Sequence, residues 1–209
     1  MLPLVIDLAR LRLALIGRGD AAMRRLASLD EAGAVDLIVF STDPESALAE
    51  AAGARLQRRQ PTAEDFAGLH VVFVADVPEP ERTMLVDRAR QAGAIVHAED
   101  APTLTDIHAP SVLRRGDLTI AVSTGGKAPG LAVEIRAFLG TIFGPEWSER
   151  VRAMAALRQR WRAAGEQAGA VGRLTTAQLA RYGWLTHKDA VVANDHDEST
   201  DERGDSTCP

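Results

Sequence analysis

The sequence predicts an α/β protein whose first half is a doubly wound parallel sheet and whose second half is a hairpin followed by helices. Three observations carry this reading. Short apolar, β-branched runs alternate with segments of helical spacing up to residue 109. A glycine turn joins the first of those runs to the first of those helices. After Pro110, two runs are separated only by Arg114-Arg115-Gly116-Asp117. Parallel neighbours need crossover connections, so strands alternating with helices build a parallel sheet covered on both faces, whereas a tight turn between two runs makes a hairpin.

In chain order, residues 11–16 (LRLALI) read as the first strand, 17–20 (GRGD) as a tight turn and 21–29 as a helix with alanines and leucines at helical spacing. Residues 35–40 form a second strand after Gly33, 54–59 a weaker third, 71–75 a strong fourth and 94–98 a fifth, with a helix over 79–91. Residues 111–115 and 118–123 are the hairpin strands. Helical spacing resumes over 129–143, where Pro129 suits a first helical turn and Gly144-Pro145 ends the segment. Residues 147–164, rich in Arg and Ala, form a second long helix, and 174–182 a short one. Residues 194–209 hold six acidic side chains and almost no apolar ones, so they are expected to be disordered. The expected divisions are 1–109, a dinucleotide-binding domain, then 110–145, a helical part over 146–190, and an acidic tail over 191–209.

Of the 209 residues, 46% are hydrophobic and 25% charged, the balance of a globular protein, and with aromatics at only 4% aliphatic side chains must fill the core. A net charge of −5 gives no electrostatic reason to expect a nucleic-acid partner. No apolar run approaches the ~20 residues that cross a bilayer, and no leader pattern opens the sequence, so no membrane partner is expected and the cytoplasm is the expected location. The single Cys208 has no second thiol with which to form an internal disulfide or share a metal.

Gly17-x-Gly19-x-x-Ala22 between a strand and a helix has the form of a dinucleotide fingerprint, which makes the predicted sheet Rossmann-like. Gly17 permits the turn, Gly19 lets backbone approach a pyrophosphate, and Ala22 lets the helix pack closely on the sheet. A pyrophosphate would rest on that helix N-terminus. The second strand ends at Phe40-Ser41-Thr42-Asp43 with no acid at its tip; Asp43 stands late, and Ser41 or Thr42 can hydrogen-bond ribose hydroxyls instead, so these residues leave NAD and NADP open. Arg18 can touch the pyrophosphate or point to solvent.

Two aspartates fall at carboxyl ends of strands, where open α/β sheets bind ligands: Asp76 and Asp100. Asp100, with Pro102 to fix its loop, is the candidate to take a proton from a substrate, the alternative being a helix cap or turn former. Arg114, Arg115 and Lys127 flank the small-residue loop Ser123-Thr124-Gly125-Gly126, which can offer backbone N–H groups to carboxylates or phosphates; its spacing is not that of a P-loop. The five histidines lack metal-ligand spacing, so no resident metal is expected, although His97 and His108 flank Asp100 closely enough for a transient one.

The ordered set of motifs is Leu2-Pro3-Leu4, then Ala14-Leu15-Ile16-Gly17-Arg18-Gly19-Asp20-Ala21-Ala22-Met23-Arg24-Arg25, then Asp100-Ala101-Pro102 and Ala109-Pro110-Ser111-Val112-Leu113-Arg114-Arg115-Gly116. Ile120-Ala121-Val122-Ser123-Thr124-Gly125-Gly126-Lys127-Ala128-Pro129 follows, with Leu131-Ala132 and Ile135-Arg136. Across about residues 2–165 this set resembles the precorrin-2 dehydrogenase family, which includes the N-terminal module of multifunctional siroheme synthases. The P-S-x-x-R-x-G and S-T-G-G-x-A-P segments are far more specific than the glycine turn.

The resemblance implies an NAD domain, a dimerisation region over 110–145, a helical C-terminal part and an interlocked homodimer that oxidises precorrin-2 to sirohydrochlorin at the dimer cleft. By the same matching Asp100 is the catalytic residue, and Asp20, Ala21, Ser41 and Thr42 join Gly17, Gly19 and Ala22 as cofactor contacts. The tetrapyrrole's carboxylates give Arg114, Arg115, Lys127 and Arg136, with Ser123, Thr124 and Gly125, a substrate to hold. Some members also insert ferrous iron, so a bifunctional dehydrogenase and ferrochelatase is one alternative. The methyltransferase domain of the fused enzymes is not among these residues, which implies that precorrin-2 comes from another protein. The sequence departs from the family pattern at Arg18, Ala21, Ala75-Asp76-Val77-Pro78 and Ile107-His108, positions that bear on nicotinamide contacts and rate. A non-catalytic NAD- or tetrapyrrole-binding sensor is the alternative they leave open.

Overall fold

The structure, a computed structural model, describes residues 2–185. The acidic segment 191–209 and Cys208 lie outside the described residues. The chain divides between Ala109 and Pro110 into two compact units.

The first unit is a five-stranded parallel sheet. Its strands are β1 (Arg12–Gly17), β2 (Asp36–Phe40), β3 (Leu56–Gln57), β4 (Val71–Ala75) and β5 (Ile95–Ala98), in the order β3-β2-β1-β4-β5. Helices α1 (Gly19–Glu31), α2 (Ser46–Ala52) and α3 (Glu81–Gln91) are the crossovers. The pleat sends alternate side chains to opposite faces, and the core divides accordingly. Leu13, Leu15, Val39 and Phe73 join α1 and α2 in one cluster, while Ala14, Ile16, Phe40, Val72 and Val74 join α3 in the other. Both faces being covered, β1 and β4 are apolar throughout their buried length, which is why they read as continuous runs. Helix α1 buries Ala22, Leu26 and Leu29 at positions i, i+4 and i+7, each leucine contributing roughly 1.5–3 kcal/mol on leaving water. This is the doubly wound, Rossmann-like α/β fold that the sequence predicts.

Two expectations in this unit are corrected. The third strand, predicted over 54–59, pairs only at Leu56–Gln57, because Gly53–Arg55 closes a 3₁₀ turn and the Arg55 guanidinium reaches back to the Ala51 and Ala52 carbonyls. The helix predicted over 79–91 begins at Glu81, after Pro78 and Pro80, which cannot donate to a helical ladder.

In the second unit β6 (Ser111–Arg115) and β7 (Leu118–Val122) form an antiparallel hairpin, closed at Gly116 where φ is +58°. Three helices follow, α4 (Pro129–Ile142), α5 (Trp147–Ala163) and α6 (Ala168–Tyr182). Helix α6 begins six residues before its predicted start at 174. Gly169 and Gly172 argue against a helix there by propensity, but packing of Val171, which is buried, overrides them.

Candidate dinucleotide and catalytic site

Gly17 ends β1 and stands in register with Ala75, the last residue of β4, at the point where the strand order reverses. A Cβ at Gly17 would overlap the Ala75 carbonyl and press on Ala22, so the turn after β1 is built on the absence of a side chain. Gly19 opens α1 at φ +66°, a conformation that costs any L side chain, and a Cβ there would overlap the Asp76 carboxylate. The Glu45 carboxylate lies close to the same point. Asp20 is exposed in the first turn of α1, Ala21 is half-buried and Ala22 buried.

Beside this turn an open cleft is walled by Arg18, Ser41, Thr42, Arg59, Gln60 and Glu81 over a floor that includes Ile16, Phe40 and Val77. The Ser41 hydroxyl is buried without a hydrogen-bond partner among the described residues, a donor and acceptor with nothing to bind inside the unit. Arg18 lines the cleft. Asp43 is exposed and is not part of the wall. The residues present fit a nicotinamide dinucleotide: two glycines leave backbone N–H groups open at a helix N-terminus, and an orphaned hydroxyl waits at the end of β2.

Sequence reasoning found Gly17, Gly19, Ser41 and Thr42 by position, but not Arg59, Gln60 or Glu81. Arg59 follows the third strand, whose shortness was not legible. Its guanidinium lies 5.2 Å from the Phe40 ring centroid, and the Arg58-Arg59 pair at a strand end was the available signal.

Asp100 sits in the loop after β5 with its side chain exposed and φ +54°; Asp76, after β4, has φ +57°. A non-glycine residue holds that conformation only where its surroundings impose it. Here they do. The Ala98 N–H donates to Thr105 Oγ1 (3.0 Å), whose hydroxyl donates back to the Ala98 carbonyl (2.8 Å), and Asp106 accepts from Val96 N–H (2.9 Å) and from Arg90. Ala101 is buried just beyond. The loop is clamped on both sides and Asp100 is left at its open end.

Glu99, one residue earlier, is turned the other way. Its carboxylate accepts from Arg25 Nε (3.0 Å) and Nη2, and His97, buried on β5, donates from Nδ1 to the Ile107 carbonyl (2.8 Å) while Nε2 faces Arg25 and Glu99. Burial works against ionisation of Glu99, but His97 and the Arg25 charge outweigh it and hold the carboxyl at about 2. Its folded value lies below the ordinary 4.5, so the stability it contributes is complete above pH 4.5 and is lost as pH falls toward 2. Urea unfolding between pH 6 and pH 2.5 should lose roughly 2–3 kcal/mol through this group, and Glu99→Gln should remove that part of the slope. Equal acid slopes in the two proteins would show that the ion pair carries no such linkage.

The trio of His97, Asp100 and His108 that a transient metal would need is not assembled. His97 is a core residue tied to Arg25 and Ile107, and among the described residues no group of three or more His, Cys, Asp or Glu side chains can hold a metal ion.

In the second unit, Arg114 and Arg115 are neighbours on β6 and project to opposite faces. Arg114 is exposed and Arg115 half-buried, with Arg115 Nε donating to the Phe143 carbonyl at the end of α4 (2.8 Å). The two do not form one basic cluster. Lys127 is exposed, and Arg136 is half-buried on α4. The loop before α4 is shaped by its hydroxyls: Ser123 Oγ accepts from Gly125 N–H (3.2 Å) and Thr124 Oγ1 from Ala128 N–H (3.1 Å). Gly125 and Gly126 both adopt positive φ, +66° and +77°.

A glycine turn at the switch point of a doubly wound sheet, beside a cleft with an orphaned hydroxyl, defines a dinucleotide-binding α/β protein. A family described as "Putative NAD(P)-binding" matches residues 4–111, and one described as the central part of sirohaem biosynthesis protein matches residues 115–140. The siroheme synthase of Methylococcus capsulatus is 31% identical over 166 residues, 78% of this chain and 35% of that protein. That of Ectopseudomonas mendocina is 36% identical over 141 residues, 67% and 30% respectively. The chain thus spans about a third of the length of these curated relatives. A solved structure of SirC, precorrin-2 dehydrogenase, superposes with a TM-score of 0.70 over 91% of this chain and 95% of that one at 19% identity, a likeness of fold. The chain belongs to this family, the NAD(P)-binding module with the sirohaem-biosynthesis central segment, and its first unit binds a nicotinamide dinucleotide. Among the described residues no helix is long and apolar enough to cross a membrane.

Proposed function

We propose that this chain oxidises precorrin-2 to sirohydrochlorin with NAD⁺, on the route to siroheme, as a cytoplasmic homodimer. The observation that carries the reading is the pairing, at the carboxyl edge of one sheet, of the glycine cradle after β1 with an open carboxylate, Asp100, clamped in a strained loop after β5. Gly17, Gly19, Asp20, Ala21 and Ala22 form the pyrophosphate side of the site, and Ser41 and Thr42 its ribose side. When bound there, the dinucleotide supplies the hydride acceptor. Asp100 takes the proton that the substrate carbon must also lose, and its exposure leaves the carboxylate free to do so.

Arg114, Lys127 and Arg136 pair with the carboxylates of the tetrapyrrole, and the backbone of the 123–126 loop assists them. Arg115, committed to the Phe143 carbonyl, holds the end of α4 against the hairpin and so shapes this surface.

Residues 110–145 are the dimerisation region, and α5 and α6 belong to the C-terminal part expected over 146–190, of which 186–190 lie outside the described residues. Leu131, Ile135 and Phe138 lie on one stripe of α4, at i, i+4 and i+7, and all three are exposed although α4 is a predominantly apolar helix. Such a stripe calls for a partner surface, and a second copy supplies one. Leu131→Glu with Phe138→Glu should shift the protein from dimer to monomer in sedimentation velocity. An unchanged dimer would place the interface elsewhere.

The activity is tested by an anaerobic assay with enzymatically generated precorrin-2 and NAD⁺, following NADH and the sirohydrochlorin spectrum together. Both should rise in step. Binding of NAD⁺ and tetrapyrrole without turnover would make the chain a sensor instead of an enzyme.

A further inference from the structure

Resting on the oxidation proposed above, we infer that Arg25 and Glu99 are positioning residues for the proton acceptor: their ion pair braces the Asp100 loop against α1, the helix that opens on the glycine cradle. Glu99 immediately precedes Asp100. Its backbone N–H donates to the Val74 carbonyl of β4 (2.8 Å), so the main chain is fixed to the sheet up to the point where Asp100 turns into the left-handed region. Its side chain is fixed to a different element. Arg25 lies on α1 six residues after Gly19, about 9 Å along the helix axis, and donates to Glu99 Oε1 from both Nε and Nη2. The helix that begins at the cofactor turn and the strand end that carries the base are thereby joined by side chains 74 positions apart.

The brace continues to the far end of the loop. Arg25 Nη2 also reaches His97 Nε2 (3.1 Å), and Nδ1 of that ring donates to the Ile107 carbonyl (2.8 Å), where the loop returns to β5. Arg25 has little freedom of its own: its side chain is 13% exposed, and its guanidinium lies 5.6 Å from the Phe73 ring centroid. Stability alone does not call for such a group. Apolar side chains of the same volume often match a buried ion pair, because both charges have to leave water, whereas only directional bonds fix a position. Nor does Glu99 suit the role of base, since its carboxyl is held at about 2 and already accepts from Arg25, while Asp100 is exposed. The pair acts through the loop, by fixing how far the Asp100 carboxylate stands from the start of α1.

The test replaces the ion pair by an apolar one in the full chain. Arg25→Met with Glu99→Leu leaves neither charge buried alone, so Tm should stay within about 5 °C of wild type. In the anaerobic precorrin-2 assay its kcat should fall roughly 10- to 100-fold, since an error of about 1 Å in a reacting group costs on that order. NADH should still bind within about threefold by fluorescence titration. Arg25→Lys keeps the charge but not the fork and should lose less turnover than the double variant. Added to Asp100→Asn, the double substitution should lower kcat by no more than about twofold further, because misplacing a base costs nothing once the base is gone. Should the double variant fail to fold, Glu99→Gln repeats the test, with a kcat loss of about fivefold or more expected and an unchanged kcat refuting the brace. If wild type turns over and Asp100→Asn does not, yet the apolar pair keeps kcat within about twofold or multiplies its full loss onto Asp100→Asn, the brace is refuted and the oxidation stands. If wild type does not turn over, or Asp100→Asn keeps full activity, the reading of Asp100 as the proton acceptor fails and the inference with it.

Discussion

Replacing Gly19 by alanine is expected to weaken NADH binding by roughly 10- to 150-fold while the first unit keeps its fold, since each hydrogen bond to a charged phosphate is worth about 1.5–3 kcal/mol. Gly19 is the first residue of α1 and holds φ +66°; a side chain there is strained by roughly 1–2 kcal/mol and must also displace the Asp76 carboxylate. The Asp76 side chain is exposed and can swing away, so the sheet survives. What suffers is the orientation of the N–H groups at the start of α1. Gly17→Ala is expected to be worse and of a different kind. Its Cβ would meet the Ala75 carbonyl, which is backbone of the neighbouring strand in register and cannot give way without parting β1 from β4. Overpacking of about 1–3 kcal/mol should then appear as a lower Tm as well as lost binding. Thermal unfolding and NADH fluorescence titration of the two variants separate the cases. Gly19→Ala binding NADH within about twofold of wild type would remove the pyrophosphate from this turn.

The contrast between those glycines also marks what the sequence made legible. Residues 71–75 are legible as a strand to the residue because a strand buried on both faces has to be apolar at every position. The glycine turn was legible because only its residue types permit it. The third strand is shorter than its sequence predicts, since Leu56–Gln57 lies at the sheet edge and its extent depends on where Arg55 turns back to α2, a contact between side chain and backbone that no periodicity encodes. Helix α6 is longer than its sequence predicts because two glycines lower its propensity while the burial of Val171 raises its stability. In the site, Ser41 could be named from its place after β2, but its lack of a partner could not. Arg25 and Glu99, 74 positions apart, meet only because α1 and β5 converge on the sheet. Asp100 is legible as a candidate from its place after the fifth strand, and the resemblance adds its catalytic role; its strained backbone is a property of the clamped loop around it.

That strain decides how Asp100 should be tested. An alanine would remove the carboxylate and also place an unsuited residue at φ +54°, mixing loss of chemistry with a shifted loop. Asparagine tolerates the left-handed region and matches the shape of aspartate, so Asp100→Asn isolates the proton acceptor. A positioned general base contributes about 10²–10⁴-fold, and kcat with precorrin-2 and NAD⁺ should fall by that order in Asp100→Asn. NADH affinity should stay within about twofold, because the cradle after β1 is built from other residues. Asp100→Ala should show the same loss of turnover with an added fall in Tm, and Thr105→Val, which unpins the Ala98 backbone while leaving the carboxylate in the chain, should lower kcat by a smaller factor. Raising the pH should restore none of the Asp100→Asn defect, whereas a solvent-borne base such as formate, small enough to approach the exposed loop, should recover part of it. Full activity in Asp100→Asn would leave the clamped loop as a purely structural feature and move the proton acceptor to another residue.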